Sequence, residues 1–253
     1  MRIITITNQK GGVGKTTSAL NIGAGLARAG KKVLLIDLDP QGNLTEGCGV
    51  DPDTLDASAY EVLVEGLPVR QAIRAVGTGL DLLPSNRNLA GAEVELVNEA
   101  DKNLRLREAL AKVRGYDYAI IDCPPSLGQL TVNALSAAGE VMIPVQPEYY
   151  ALRGLRSLLD TVEAVRDHNN KRLRITGVFA TRYDSRKNLN QGVLDQLRQH
   201  FGDRLFRTLV RDNIALAEAP AAGLDIFEFR GSSHGASDYQ DLVNEILEQE
   251  ANK

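Results

Sequence analysis

Cysteine is scarce in this chain: Cys48 and Cys123 are its only two in 253 residues, and they stand far apart. That is too few for a disulfide framework and fits a protein kept in a reducing cytosol. Histidine is nearly as rare, and His168, His200 and His234 fall at no metal-ligand spacing, so each reads as a surface or internally satisfied residue. No apolar run reaches the length of a membrane span, which leaves no transmembrane helix to expect, and no signal peptide precedes the first strand-like run. Repeats, low-complexity tracts and Pro/Ser-rich linkers are also missing. The expectation is one domain over residues 1–253.

An apolar content of 43% is ample for a core. Strand-like runs fall at 2–7, 33–38, 80–83, 117–122, 140–145, 174–180 and 205–210. Between them the apolar residues recur at helical spacing, as in Leu104, Leu106, Ala109, Leu110 and Val113, or Leu152, Leu155, Leu158, Leu159, Val162 and Val165. The strands are apolar throughout rather than alternating, which marks burial on both sides. The fold class is therefore α/β, a doubly wound, mostly parallel sheet with helices on both faces. A last helix puts Ala236, Tyr239, Leu242, Val243, Ile246 and Leu247 on one side and acids on the other. A membrane-surface helix wants cations there, so this helix is expected to pack on the core.

The net charge of −4 is unevenly spread. Residues 151–211 hold thirteen Lys/Arg against six Asp/Glu, a local +7, and the rest of the chain carries −11. Segregation of this kind lets an acidic protein present a basic face to a polyanion, unless the charges are scattered around the surface.

The segment Asn8-Gln9-Lys10-Gly11-Gly12-Val13-Gly14-Lys15-Thr16-Thr17 lies between a strand-like run and a helical pattern, the context a phosphate-binding loop requires. Its glycines let backbone N–H groups turn inward, and the helix N-terminus adds partial positive charge. Lys15 is expected to reach the β- and γ-phosphates and the Thr16 hydroxyl to sit on Mg²⁺. Gln9 occupies the place where the general pattern has its first glycine, and Lys10 precedes the glycine pair instead. The loop is the deviant form K-G-G-x-G-K-[ST].

Two further strand-like runs end in acids. Val33–Ile36 leads into Asp37-Leu38-Asp39-Pro40-Gln41-Gly42-Asn43, and Tyr118–Ile121 into Asp122-Cys123-Pro124-Pro125-Ser126-Leu127-Gly128. At the carboxyl edge of a parallel sheet such acids face the ligand crevice. Asp39 is placed to orient an attacking water, and Asp37 either holds metal-bound water or caps the next element. Asp122 reads as the Walker-B acid that holds Mg²⁺ through water. Three strand ends of this kind in order point to a nucleoside triphosphatase.

Together these residues resemble the ParA-type (Soj-like) partition ATPases, within the MinD/ParA group of deviant Walker-A proteins. The likeness extends to Gly91-Ala92-Glu93-Val94-Glu95-Leu96, Pro144-Val145-Gln146-Pro147-Glu148-Tyr149-Tyr150-Ala151-Leu152 and Leu216-Ala217-Glu218-Ala219-Pro220, and so runs over nearly the whole chain. It implies a P-loop fold in which Lys10, Gly11, Gly12, Val13, Gly14, Lys15, Thr16 and Thr17 bind ATP, with Arg211 and Asn213 at the adenine. It makes Lys10, Lys15 and Asp39 the catalytic residues, Lys10 acting across an ATP-sandwich homodimer, and Thr16 and Asp122 the Mg²⁺ site. It further implies nonspecific DNA binding by the ATP dimer, a ParB-like partner that stimulates slow hydrolysis, and a cytoplasmic, nucleoid-associated protein with no membrane partner.

The chain departs from the family where its adenine segment reads Arg211-Asp212-Asn213-Ile214-Ala215, without two arginines the family usually has. Arg153 and Arg156 stand on a helix that is commonly acidic or neutral there, and Arg182-Tyr183-Asp184-Ser185-Arg186-Lys187-Asn188 keeps the group's basic loop. The chain begins at its first strand, so no helix-turn-helix domain is expected. Two other readings keep the ATPase: one positions a protein cargo on the nucleoid, and the other is a relative of the nitrogenase iron protein, which needs paired cysteines for an iron–sulfur cluster.

Overall fold

The computed structural model describes residues 1–99, 101–149 and 151–251, apart from the side chains of Asn98 and Arg153. Tyr150 and the Arg153 side chain, both singled out above, lie outside the described residues. The chain runs β1 (Arg2–Ile6), α1 (Lys15–Arg28), β2 (Val33–Asp37), α2 (Asn43–Gly47), α3 (Ala59–Leu63), α4 (Val69–Ala72), β3 (Arg74–Gly77), β4 (Leu80–Leu83), α5 (Leu89–Glu95) and α6 (Arg105–Ala111). It continues through β5 (Tyr118–Asp122), α7 (Gln129–Ala137), β6 (Glu140–Val145), α8 (Ala151–His168), β7 (Arg174–Tyr183), α9 (Asn188–Phe201), β8 (Leu205–Arg211), α10 (Ile214–Glu218), α11 (Ile226–Arg230) and α12 (His234–Ala251).

The strands form one sheet in the order β3-β4-β2-β5-β1-β6-β7-β8, parallel throughout except for the antiparallel β3–β4 pair. Successive residues of each central strand feed opposite layers. Leu35, Tyr118 and Ile120 pack with Ile22, Leu26, Tyr239 and Leu242, whereas Leu34, Ile36 and Ile121 pack with Leu106, Leu110 and Leu130. Burial on both sides explains the unbroken apolar runs; each Leu or Ile so enclosed contributes about 1.5–3 kcal/mol. Beyond β1, Val141, Ile143 and Val178 meet Leu155, Leu158 and Leu197 of α8 and α9.

All seven strand-like runs are strands. The eighth, β3, escaped sequence reading because Arg74-Ala75-Val76-Gly77 is short, alternately half-buried and exposed, and pairs irregularly with β4. It is held by its hairpin partner, not by its own pattern.

Helix α1 sits close to its neighbours because Gly25 has no side chain. A Cβ there would stand 2.7 Å from the Val243 Cγ2 of α12 and 3.3 Å from the Phe227 ring of α11. The acidic side of α12 has a further use. Glu245 accepts hydrogen bonds from the Arg207 and Thr208 amides (3.0 and 2.7 Å), which lie on edge strand β8, while Arg207 also reaches Glu248 at 2.8 Å. The local excess of positive charge in 151–211 is therefore partly neutralised by acids from the chain's last helix.

Candidate nucleotide site

Strand β1 lies between β5 and β6, and the connections run outward in both directions from it, so its carboxyl end opens into a crevice. The loop from Asn8 to Gly14 fills that end. Asn8 accepts from the Lys10 amide (3.1 Å) and donates through Nδ2 to the Pro144 carbonyl on β6 (2.8 Å). Gly12 and Gly14 adopt φ of 72° and 82°, the left-handed region where a side chain would be strained. Gly14 is the N-cap of α1 and no side chain bonds the first amides of that 14-residue helix, which leaves them to an anion. The Thr181 hydroxyl of β7 donates to the Val13 carbonyl at 2.7 Å and pins the loop from the far side.

An open cavity of about 660 Å³ lies over this loop. Gly11, Gly12, Gly14, Lys15, Thr16 and Thr17 line one side, Asp39 another, and Arg211 and Asn213 the far end. Three of the residues singled out from the sequence do not line it. Val13 is buried at 1% exposure and shapes the loop through its carbonyl. Asp122 lies behind the cavity, fully buried at the end of β5. Lys10 points elsewhere: its ammonium pairs with the Glu148 carboxylate and is 3.5 Å from Gln146 Oε1.

The charges of the site are out of water and uneven. Burial pulls the Lys15 ammonium below the usual lysine range, while Asp122 and Asp39 nearby oppose that fall. Burial also pushes Asp122 well above the carboxylate range, with Asp37 adding to the effect; the Thr16 hydroxyl and Lys15 pull the other way. Neither carboxylate oxygen of Asp122 completes a hydrogen bond. An orphaned buried carboxylate beside a hydroxyl suits a hard cation held through water. Among the described residues no cluster of three His, Cys, Asp or Glu is placed to hold a metal.

Sequence left two uses open for Asp37. It is fully buried and accepts from the Asp39 amide (3.0 Å), the Thr45 amide (2.9 Å) and the Thr45 hydroxyl (2.7 Å), so it caps α2 and positions Asp39. Burial raises it to about 6 against the pull of those donors. Asp39 is held at three points. Its amide is tied to Asp37, its carbonyl accepts from the Ser85 hydroxyl (2.8 Å), and Oδ1 accepts from the Gln41 amide (3.0 Å), leaving Oδ2 for the cavity.

At the far end the Arg211 guanidinium turns onto Asp238 of α12, with Nη2–Oδ1 at 2.5 Å and the Arg211 amide on Oδ2 at 2.9 Å. Asn213 caps α10, its Oδ1 accepting from the Ala215 amide at 2.9 Å. Sequence reading missed Asp238, whose partner is 27 residues away, and Tyr239, whose hydroxyl meets the Ser18 hydroxyl of α1 at 2.9 Å beside the cavity. It also missed Thr181, although the rule that strand ends carry polar site residues applies to β7 as it does to β2 and β5.

The fold and this loop define a P-loop nucleoside triphosphatase. Residues 1–175 match the AAA_31 family model, an AAA domain. The sporulation initiation inhibitor protein Soj of Bacillus subtilis is 48% identical over 97% of this chain and 98% of its own. The chromosome-partitioning ATPase Soj of Thermus thermophilus is 49% identical over 98% of this chain and 96% of its own. Among solved structures, cobyrinic acid a,c-diamide synthase of Mycobacterium smegmatis with bound ADP and magnesium is similar at a TM-score of 0.86 and 38% identity, covering 98% of this chain and 94% of that one. The chain belongs to the ParA/MinD family of ATPases, with Soj and ParA partition ATPases among its full-length relatives.

Proposed function

We propose that the chain is an ATP-dependent dimerisation switch that binds DNA without sequence preference and drives chromosome or plasmid partition, its slow hydrolysis stimulated by a ParB-like partner. The observation that carries this reading is the divergence of the loop's two lysines. Lys15 points into its own cavity, whereas Lys10 stays outside it on an exposed carboxylate. Exposed pairs of that kind contribute about 0–1 kcal/mol, so little holds Lys10 back from a second copy's phosphates.

In this reading Lys15, the α1 amides and the loop glycines take the β- and γ-phosphates, and Asn213 with the backbone at Arg211 takes the adenine. Thr16 and, through water, Asp122 hold Mg²⁺, which supplies charge neutralisation at the phosphates. Asp39 Oδ2 orients the attacking water, and Lys10 from the partner copy offsets transition-state charge, tying turnover to dimerisation. The cysteines favour no iron–sulfur chemistry: Cys123 is fully buried, and burial pushes its thiol and that of Cys48 up, away from the thiolate a cluster needs.

The test is binding to duplex DNA with ATP and with ADP across a salt series. Binding should require ATP, and log K should fall with log salt at about −0.9 per neutralised phosphate. Equal binding with ADP, or no salt dependence, would sink the reading. For Lys10→Ala, sedimentation should show ATP-dependent dimers lost while monomer affinity for nucleotide stays within about fivefold of the parent. Intact dimers would remove Lys10 from its assigned role.

A further inference from the structure

We propose that the opposite edge of the sheet carries a second anion site, a cationic cavity for a small phosphate-bearing ligand. The cavity measures about 550 Å³ and is walled by Lys32, Arg70 and Arg114 with Asp81, Ile73 and Tyr116. Lys32 immediately precedes β2, Tyr116 lies two residues before β5, and Asp81 is the second residue of β4, so the site sits at the amino ends of parallel strands. The nucleotide loop follows the carboxyl end of their neighbour β1. Five residues of strand, roughly 16 Å, separate the two edges.

Unlike several cations elsewhere on the surface, the three that line this cavity form no ion pair among the described residues. Arg207, Arg211, Arg186 and Arg166 each have a carboxylate partner, but Lys32, Arg70 and Arg114 have none among the described residues. Asp81, the carboxylate in the wall, accepts from the Tyr116 hydroxyl at 2.5 Å through Oδ2 and forms no ion pair with the three cations, so the wall keeps a net positive charge. Asp117 at the rim accepts from the Lys32 amide at 2.8 Å and leaves the ammonium free. Burial and Asp81 push the Tyr116 phenol up, Arg70 opposing, so the hydroxyl keeps the proton it donates.

The two guanidiniums are also held in place. Arg114 donates through Nη1 to the Ala111 and Val113 carbonyls (2.6 and 2.8 Å), and Arg70 through Nη2 to the Arg114 carbonyl (3.3 Å). Each keeps a free edge of N–H donors, the geometry that takes two phosphate oxygens at once. A concave wall of this volume falls within the usual range for small ligands, about 300–1,000 Å³, and its apolar patch at Ile73 and the Tyr116 ring suits a ligand with an organic body. Those features favour a small molecule over a DNA backbone, which needs an extended surface.

The experiment titrates pyrophosphate calorimetrically into the full chain already saturated with ADP and magnesium, so that the nucleotide loop is filled. One saturable site per chain is expected. Arg70→Ala/Arg114→Ala should weaken it at least tenfold without changing ADP affinity. Lys32→Gln, which removes an ammonium bonded to nothing in the fold, should weaken it about threefold, and Arg156→Ala should leave it unchanged. No binding after ADP saturation, or equal binding by the double variant, overturns the proposal. So does a double variant that loses DNA binding while pyrophosphate binds neither protein, since the cations would then serve nucleic acid.

Discussion

Lys15→Ala is expected to abolish nucleotide binding. The Lys15 side chain is 6% exposed, with the Asp122 and Asp39 carboxylates as its charged neighbours. Without it, an incoming triphosphate meets two acids and no buried cation. Breaking a buried charge pair costs about 3–5 kcal/mol, which corresponds to a loss of affinity on the order of 10²–10⁴-fold. Calorimetric titration with ATP and magnesium reads this directly, and a loss of less than tenfold would show that the helix amides carry most of the phosphate binding. The fold of the variant should persist, because the loop is fixed independently by Asn8, by Thr181 and by the two left-handed glycines.

Asp39→Ala should separate binding from chemistry. The variant is expected to bind ATP and to dimerise with it, while single-turnover hydrolysis falls about 10²–10⁴-fold, the usual contribution of a positioned group that handles a proton or a water. The separation is physical. Asp39 contributes one free carboxylate oxygen to the cavity, whereas its other bonds shape the backbone through Asp37, Ser85 and Gln41. Removing the carboxylate deletes the group proposed to orient the water and leaves the amide and carbonyl anchors in place. Turnover at the parent rate would move the hydrolytic role elsewhere, and loss of ATP binding would make Asp39 part of the phosphate cradle.

The sheet was legible wherever burial on both faces wrote itself into a continuous apolar run, as at Val33–Ile36 or Tyr118–Ile121, and illegible at β3, where the strand exists only through its hairpin partner. The glycine loop was legible because its requirements are local: glycines at left-handed positions, a strand before and a helix after. Asp37 was legible as one of two alternatives. Deciding between them needed Thr45, eight residues on, folded back onto the carboxylate.

Reading the linear order alone established the glycine-rich turn between strand and helix and the class of sheet, since turn conformation and helix or strand periodicity are set within a few residues. It did not establish which charges are spoken for. Arg211 belongs to Asp238, Arg207 to Glu245 and Glu248, and Lys10 to a Glu148 that lies 138 residues away. Lys32, Arg70 and Arg114 gather at one cavity with Asp81 and form no ion pair among the described residues. Coulomb energy depends on separation in space and on exclusion of water. Until the sheet brings distant segments together, the composition of a segment cannot say whether its arginines are neutralised at home or left to meet a ligand.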